Sequence, residues 1–174
     1  IRNIHKRTYE YLGEMKASTN PIAYCEGGFY GGHLKPSDKI KSLLKPMTAS
    51  FGITALNELQ ELYNGKSIAE DGAFALEVMQ HMNDACNKWK RETNIAFSIY
   101  GSPIESTTYK FAKCLQKRFG IIEGITDKNY ITNSYHVHVT EPIDAFSKLK
   151  FESQFQALST GGAISYVEVP DMQD

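Results

Sequence analysis

Stretches with helical periodicity alternate along this chain with stretches rich in β-formers, and glycine or proline separates them; this alternation restricts the fold more than any other feature. Ile1, Ile4, Tyr11, Leu12 and Met15 share one helical stripe, with Thr8 inside it. That helix is expected to end before Thr19-Asn20-Pro21, because proline disfavours helix in the residue before it. Ile22-Ala23-Tyr24-Cys25 then reads as a short strand, residues 26–32 (EGGFYGG) as a glycine-rich loop, and residues 35–47 as irregular chain with a helical turn at most. Residues 53–64 form a helix stopped by Gly65. Ser67 and Glu70 have capping-box spacing and open a long helix over 68–90, whose broad apolar face includes Phe74, Met79, Met82, Cys86 and Trp89. Residues 95–100 (IAFSIY) are a β run, and Ser102-Pro103 opens a helix that turns Ile104, Thr108, Phe111 and Leu115 inward. Residues 135–140 (YHVHVT) read as a strand. A helix starts at Pro142, covers 142–149 and extends toward Leu158, Gly161-Gly162 breaks it, and residues 163–169 (AISYVEV) are the last strand.

The resulting order, β-α-β-α-β without internal repeats, predicts an α/β fold with largely parallel strands and right-handed crossovers. The 174 residues are expected to form a single domain. Four strands are few for a closed barrel, so the sheet is expected to be incomplete; together with a first residue that is Ile1, this points to a piece of a longer protein. A formal net charge of -1 gives no global electrostatic case for nucleic acid or an anionic membrane. No apolar run approaches the ~20 residues that span a bilayer. The three cysteines, Cys25, Cys86 and Cys114, form no CxxC pair, and their odd number argues against a secreted disulfide scaffold; a reducing cytoplasm is the expected setting.

Residues 99–108 carry the strongest chemical signal. A strand ends, the chain turns at Gly101, and a helix begins with Ser102 as N-cap, Pro103 at N1 and Glu105 at N3. One reading is complete without function: Glu105 closes a capping box worth ~1 kcal/mol. The other uses the same geometry, because α/β folds bind ligands where a strand's carboxyl end meets a helix N-terminus. Free amides there attract phosphate, and Ser102, Ser106 and Thr107 add hydroxyls. Sequence physics weighs the two evenly. A carboxylate is a poor neighbour for phosphate, so under the second reading Glu105 faces a sugar hydroxyl or a proton in transfer. His136 and His138 alternate on their expected strand and share a face, but no third metal ligand stands nearby and no metal is expected. Asn133-Ser134 before them reads as turn chemistry or as a ligand contact. Cys25 has no His or Lys beside it to lower its pKa, Cys86 reads as core and Cys114 as a structural flank.

Several of these segments together resemble the catalytic subunit of the anaerobic (class III) ribonucleotide reductases. They are Asn20-Pro21 through Glu26-Gly27-Gly28, residues 49–58 (ASFGITALNE), residues 100–106 (YGSPIES), Phe119-Gly120-Ile121-Ile122 running through Thr126-Asp127-Lys128 to residues 132–136 (TNSYH), and residues 161–168 (GGAISYVE). Each is weak alone; in this order they cover most of the chain from Asn20 onward.

The resemblance implies the second half of the ten-stranded α/β barrel of ribonucleotide reductases and glycyl radical enzymes. It implies reduction of ribonucleoside triphosphates at the ribose 2′ position, for anaerobic synthesis of DNA precursors. Chemistry runs through a glycyl radical, installed by an S-adenosylmethionine iron-sulfur activase, and a thiyl radical; formate or a thioredoxin-type system is the reductant. Carried over residue by residue, Tyr100 and Glu105 are catalytic, with Glu105 polarising or deprotonating a ribose hydroxyl. Ser102, Ser106, Thr107, Asn133 and His136 contact substrate. The thiyl-forming cysteine loop, the radical glycine with its four-cysteine zinc module, and the N-terminal ATP-cone match nothing here. The chain is therefore expected to bind no cofactor and to be inactive alone. Allosteric nucleotides, the activase and a homodimer belong to the parent enzyme. Two alternatives stand beside this reading: a glycyl radical enzyme of the pyruvate formate-lyase type, and a non-catalytic nucleotide-binding module.

Overall fold

The computed structural model describes residues 1–28 and 33–167, which form two compact units: residues 1–28 and 33–49 with 89–97, and residues 50–88 with 98–167. In the first unit, α1 (Arg2–Gly13) forms where a helix was expected but ends ahead of Met15. Of the predicted stripe only Leu12 and Met15 pack inward, Ile1, Ile4 and Tyr11 are exposed, and the helix packs on a 3-10 helix, Ile40–Leu44. Ala17, Ile40 and Leu44 form its buried core, with Leu12 and Met15 against them. Two backbone hydrogen bonds tie this core together, Ala17 N–H to Asp38 O (2.8 Å) and Ile40 N–H to Met15 O (3.0 Å). Arg2 donates to Glu92 (2.7 Å) and lies over the Trp89 ring.

Residues 22–25 are not a strand. Ile22–Glu26 is a π-helical turn, with Gly27 N–H donating to Ile22 O. Asn20 and Pro21 explain the difference. Pro21 sits at φ -63° and ψ -34°, pre-set for helix, and the Asn20 side chain accepts Ala23 N–H (3.3 Å) at the head of the turn. Of the expected glycine loop at 26–32, residues 29–32 lie outside the described residues.

The second unit is a mixed helix and strand structure of the α/β kind. Two parallel strands, β1 (Thr48–Ile53) and β2 (Ala96–Gly101), form a two-stranded sheet. Between them run α2 (Leu56–Asn64) and α3 (Ala73–Thr93). β1 was hidden in the sequence because its exposure alternates and its last residue, Ile53, reads as the start of the helix that follows. Gly65 ends α2 in the left-handed region, φ +75°, and donates to Glu61 O (2.8 Å). The Ser67–Glu70 capping box forms in both directions, Ser67 N–H to Glu70 Oε2 (2.7 Å) and Glu70 N–H to Ser67 Oγ (3.4 Å), yet α3 begins only at Ala73. The box heads a separate turn, and Asp71 accepts Ala73 N–H at the true helix start.

α4 (Ser106–Phe119) and α5 (Ala145–Leu158) complete the unit. α5 starts at Asp144, whose carboxylate accepts the amides of Phe146 and Ser147 (both 3.0 Å), rather than at Pro142. Its buried residues are Lys148, Glu152 and Phe155, while Phe146 is exposed. A helix that buries two charges gives little apolar periodicity to read.

Two further expected strands do not form. Residues 135–138 have no ladder, and residues 163–167 carry no regular structure; the remainder of that last run, 168–169, lies outside the described residues. Instead the chain makes backbone bonds just ahead of each, to the segment past β1 in the first case and to β2 in the second. Ala55 N–H donates to Thr132 O (2.9 Å) and Leu56 N–H to Ser134 O (3.0 Å). Gly161 N–H donates to Ile99 O (2.7 Å), and Gly101 N–H donates to Gly162 O (3.1 Å). The approach at Gly161 requires glycine: a Cβ there would lie 2.6 Å from Ser98 Oγ and 3.0 Å from Ile99 O.

Gly161→Ala therefore destabilises the chain by about 1–3 kcal/mol through overpacking. Gly65→Ala, where the added methyl meets open space, costs about 1 kcal/mol through left-handed strain alone. Urea unfolding midpoints of the two variants check both values.

Candidate functional site

Tyr100, next to last in β2, is half-buried, and Ser102, just past the strand's end, is buried. Both stand against Gly52 of β1: a Cβ on Gly52 would meet Ser102 Oγ and the Tyr100 hydroxyl at 3.2 Å each. Ser102 is not the N-cap of α4. Its carbonyl accepts Ser134 Oγ–H (3.1 Å) and Ile104 N–H (3.1 Å), which closes a tight turn and delays the helix to Ser106. These tertiary bonds override the local Ser-Pro preference. Glu105 thus occupies the N-cap position instead of N3, with φ 37° and ψ -111° and no side-chain capping bond. A non-glycine residue in that region stores backbone strain of order 1–3 kcal/mol. Its carboxylate is exposed and makes no hydrogen bond or ion pair among the described residues. Thr107 N–H is committed to Ile104 O (2.8 Å), so the anion-binding amides expected here are partly used by the turn itself. Along α4 the buried positions are Thr108 and Ala112, whereas Phe111, expected inward, is exposed.

The other expected contact residues, Asn133 and His136, line a cavity of about 180 Å³ together with Thr108, His138, Lys148 and Tyr166. Thr108 joins this cavity to the turn, because its amide and its hydroxyl both donate to Glu105 O (2.9 and 2.6 Å). Ser134 makes a second link through its bond to Ser102 O.

Two buried carboxylates that sequence reasoning missed hold the cavity wall. Glu58 of α2 accepts both Thr132 N–H (2.8 Å) and Thr132 Oγ–H (2.7 Å) on Oε1. Glu152 of α5, fully buried, accepts Val137 N–H (3.0 Å) on Oε1 and faces His136 Nδ1 across 3.1 Å with Oε2. Lys148 Nζ lies 4.0 Å from Glu152 Oε1 and donates to Tyr166 O (2.6 Å). Tyr135, between the two anchors, is fully buried and stacks on Phe155 at 5.3 Å. Glu58 lies inside a segment that the sequence marks only by resemblance, and Glu152 inside a helix with no apolar stripe. A charge at i and i+4 on one helix, Lys148 and Glu152, was the signal available for the second.

His138 has both ring nitrogens committed. Nδ1 accepts Thr140 N–H (3.2 Å), so Nε2 carries the proton and donates to the Tyr130 hydroxyl (3.1 Å), on whose ring His138 stacks. Burial pushes its pKa below the ordinary histidine value, and Lys128 adds to the shift. Among the described residues no group of three His, Cys, Asp or Glu is arranged to hold a metal ion. Nor is any helix of the described residues long and apolar enough to cross a membrane.

The lowered pKa fixes the sign of a pH effect. The unfolded chain protonates His138 near 6.5, the folded chain only at lower pH, so stability that is complete above 6.5 is lost as pH falls toward the folded value. His138→Gln should flatten the fall in stability between about pH 7.5 and 5.5, read as urea midpoints at each pH. An unchanged slope would remove His138 as its source.

A family model described as anaerobic ribonucleoside-triphosphate reductase matches residues 1–174. The chain is 36% identical over 168 residues to the anaerobic ribonucleoside-triphosphate reductase of Haemophilus influenzae, covering 93% of this chain and 24% of that protein. It is 39% identical over 165 residues to the one from Enterobacteria phage T4, covering 94% of this chain and 26% of the relative. For Salmonella typhimurium the values are 32% over 171 residues, 93% and 24%. The chain thus spans about a quarter of the length of the curated relatives it matches. By the match of the family model over every residue, the chain belongs to the anaerobic ribonucleoside-triphosphate reductase family.

Proposed function

We propose that this chain builds part of the substrate-holding wall of an enzyme that replaces the 2′-hydroxyl of a ribonucleoside triphosphate by hydrogen. It would contribute much of the second half of a ten-stranded α/β barrel, of which β1, β2 and the pairing segments at 132–134 and 161–162 are the local pieces. The observation that carries the reading is the turn at 100–108. There the Glu105 carboxylate, without a partner among the described residues, stands strained at the head of α4, four residues past the strand that carries Tyr100. Backbone strain at such a point is the kind that binding sites retain.

In this role Glu105 holds or accepts the proton of a ribose hydroxyl, with no internal partner to displace first. The Tyr100 phenol, fixed against Gly52, lines the same turn and positions the sugar. Ser106 and Thr107 give hydroxyls at the positive end of α4, where substrate phosphate is favoured. Ser102 acts by setting the turn, since its carbonyl is engaged and it is buried. Asn133 and His136 contact substrate from the cavity side.

In the complete enzyme a glycyl radical would supply the oxidising equivalent for a thiyl radical, which the described residues do not form. The described donors do not fit the enzyme's zinc: Cys25 is half-buried in the first unit, Cys86 is buried on α3 and Cys114 is exposed on α4. The activase, the effector nucleotides and the dimer partner belong to the same complete enzyme, and the chain alone is inactive in this reading.

Calorimetric titration of the chain with ribonucleoside triphosphates tests the division of labour. Ser106→Ala should weaken binding about tenfold, a loss near 1.4 kcal/mol. Glu105→Gln should leave affinity unchanged, yet lower turnover about 10²-fold or more when placed in a complete reductase. Equal losses of affinity in both variants, or no binding by the parent chain, would contradict the assignment.

A further inference from the structure

Hydrogen-bond accounting around the 180 Å³ cavity gives its wall a definite polarity. Thr108 spends its only hydroxyl proton on Glu105 O (2.6 Å), so toward the cavity it has lone pairs. Asn133 Oδ1 is buried and has no hydrogen-bond partner among the described residues. A buried, unpartnered amide oxygen is destabilising, and a donor arriving from outside would relieve that cost.

His136 is the third group. Glu152 Oε1 already accepts Val137 N–H, and the Lys148 ammonium stands 4.0 Å away. Lys148 thus gives Glu152 a counter-charge from within its own helix. An ionised Glu152 can only accept, so His136 Nδ1 must carry the hydrogen that bridges the 3.1 Å to Oε2. In a neutral imidazole that leaves Nε2 as a lone pair, and no hydrogen bond to it is present among the described residues. Three acceptors, Thr108 Oγ1, Asn133 Oδ1 and His136 Nε2, thus stand in one cavity wall. Phosphate or carboxylate would bring only further lone pairs to these three groups, and the Lys148 ammonium, which also lines the cavity, is already engaged by Tyr166 O and Glu152.

We propose that this cavity binds a small uncharged group that presents hydrogen-bond donors, with Thr108, Asn133 and His136 as acceptors, and that Glu152 is a positioning residue which fixes His136 in its accepting tautomer. Two sources supply such donors on a ribonucleotide: the vicinal hydroxyls of the sugar and the amino edge of a base. The volume admits either one alone, and the choice between them rests on the nucleotide reading above; the tautomer does not.

The test uses the 174-residue chain and long-range ¹H–¹⁵N NMR of its histidine rings. His136 should show the pattern of a ring protonated at Nδ1 at neutral pH. A ring protonated at Nε2 would overturn the proposal before any ligand is added. Methyl β-D-ribofuranoside, which has the diol and no base, and 1-methylcytosine, which has the amino group and no sugar, are then titrated separately. A shift of His136 Nε2 and the Asn133 side-chain amide with one probe supports the proposal and identifies the source. No shift with either probe means that the cavity holds water only, and overturns it. Asn133→Ala should reduce the affinity of the active probe about tenfold. Glu152→Gln should move the His136 proton to Nε2 and reduce affinity as much; a variant that keeps the Nδ1 tautomer would remove Glu152 from the proposal. Triphosphate binding without a probe shift would sink this inference and leave the proposed function standing, and the reverse result would do the opposite.

Discussion

Glu58 and Glu152 replace a β-ladder. The chain between Ile131 and His138 is almost wholly buried, so its backbone needs partners, yet only 132–134 pairs with other backbone in an extended way, an isolated bridge to the segment just past β1. One carboxylate from α2 takes Thr132 and one from α5 takes Val137. Hydrogen bonds to a charged acceptor are stronger than neutral ones, and a buried carboxylate without such donors would be heavily penalised. The loop and the two helices therefore depend on each other.

Much of the candidate site follows from this anchoring. Once Thr132 and Val137 are fixed, Ser134 reaches Ser102 O, and that bond holds the turn in which α4 starts late. The late start puts Glu105 at the helix head with left-handed backbone, and turns Thr108 toward both Glu105 O and the cavity. A small chemical unit results, in which a strained exposed carboxylate and a buried acceptor-lined cavity share the first turn of one helix.

Parts of this were legible in the sequence for clear physical reasons. The presence of a helix at the start of the chain, the end of α2 at Gly65 and β2 each depend on local rules that no tertiary contact opposes, whereas α5 ends at Leu158, ahead of the expected break at Gly161. Two Xaa-Pro pairs show where local rules stop. Asn20-Pro21 begins a helical turn although the sequence around it suggests a strand, because Asn20 finds Ala23 N–H close by. Ser102-Pro103 has a similar signature and begins no helix, because Ser134 and Ile104 claim the Ser102 carbonyl. The YHVHVT alternation looked like a strand because its residues are buried and β-prone. Its partners turned out to be side chains, and no periodicity announces a carboxylate that arrives from a distant helix. Asn133, His136, Tyr100 and Glu105 could be named in advance; Glu58 and Glu152, which hold the cavity wall, could not.

The central claim is that carboxylate anchors, and not strand pairing, make residues 131–138 rigid. Amide hydrogen exchange measures this directly at Thr132 and Val137, each of which donates to one of the two carboxylates. The account predicts that both exchange as slowly as the amides of β2, and that Glu58→Gln speeds Thr132 before Val137 while Glu152→Gln does the reverse. Exchange of both amides at the rate of an open loop in the unaltered chain would contradict it.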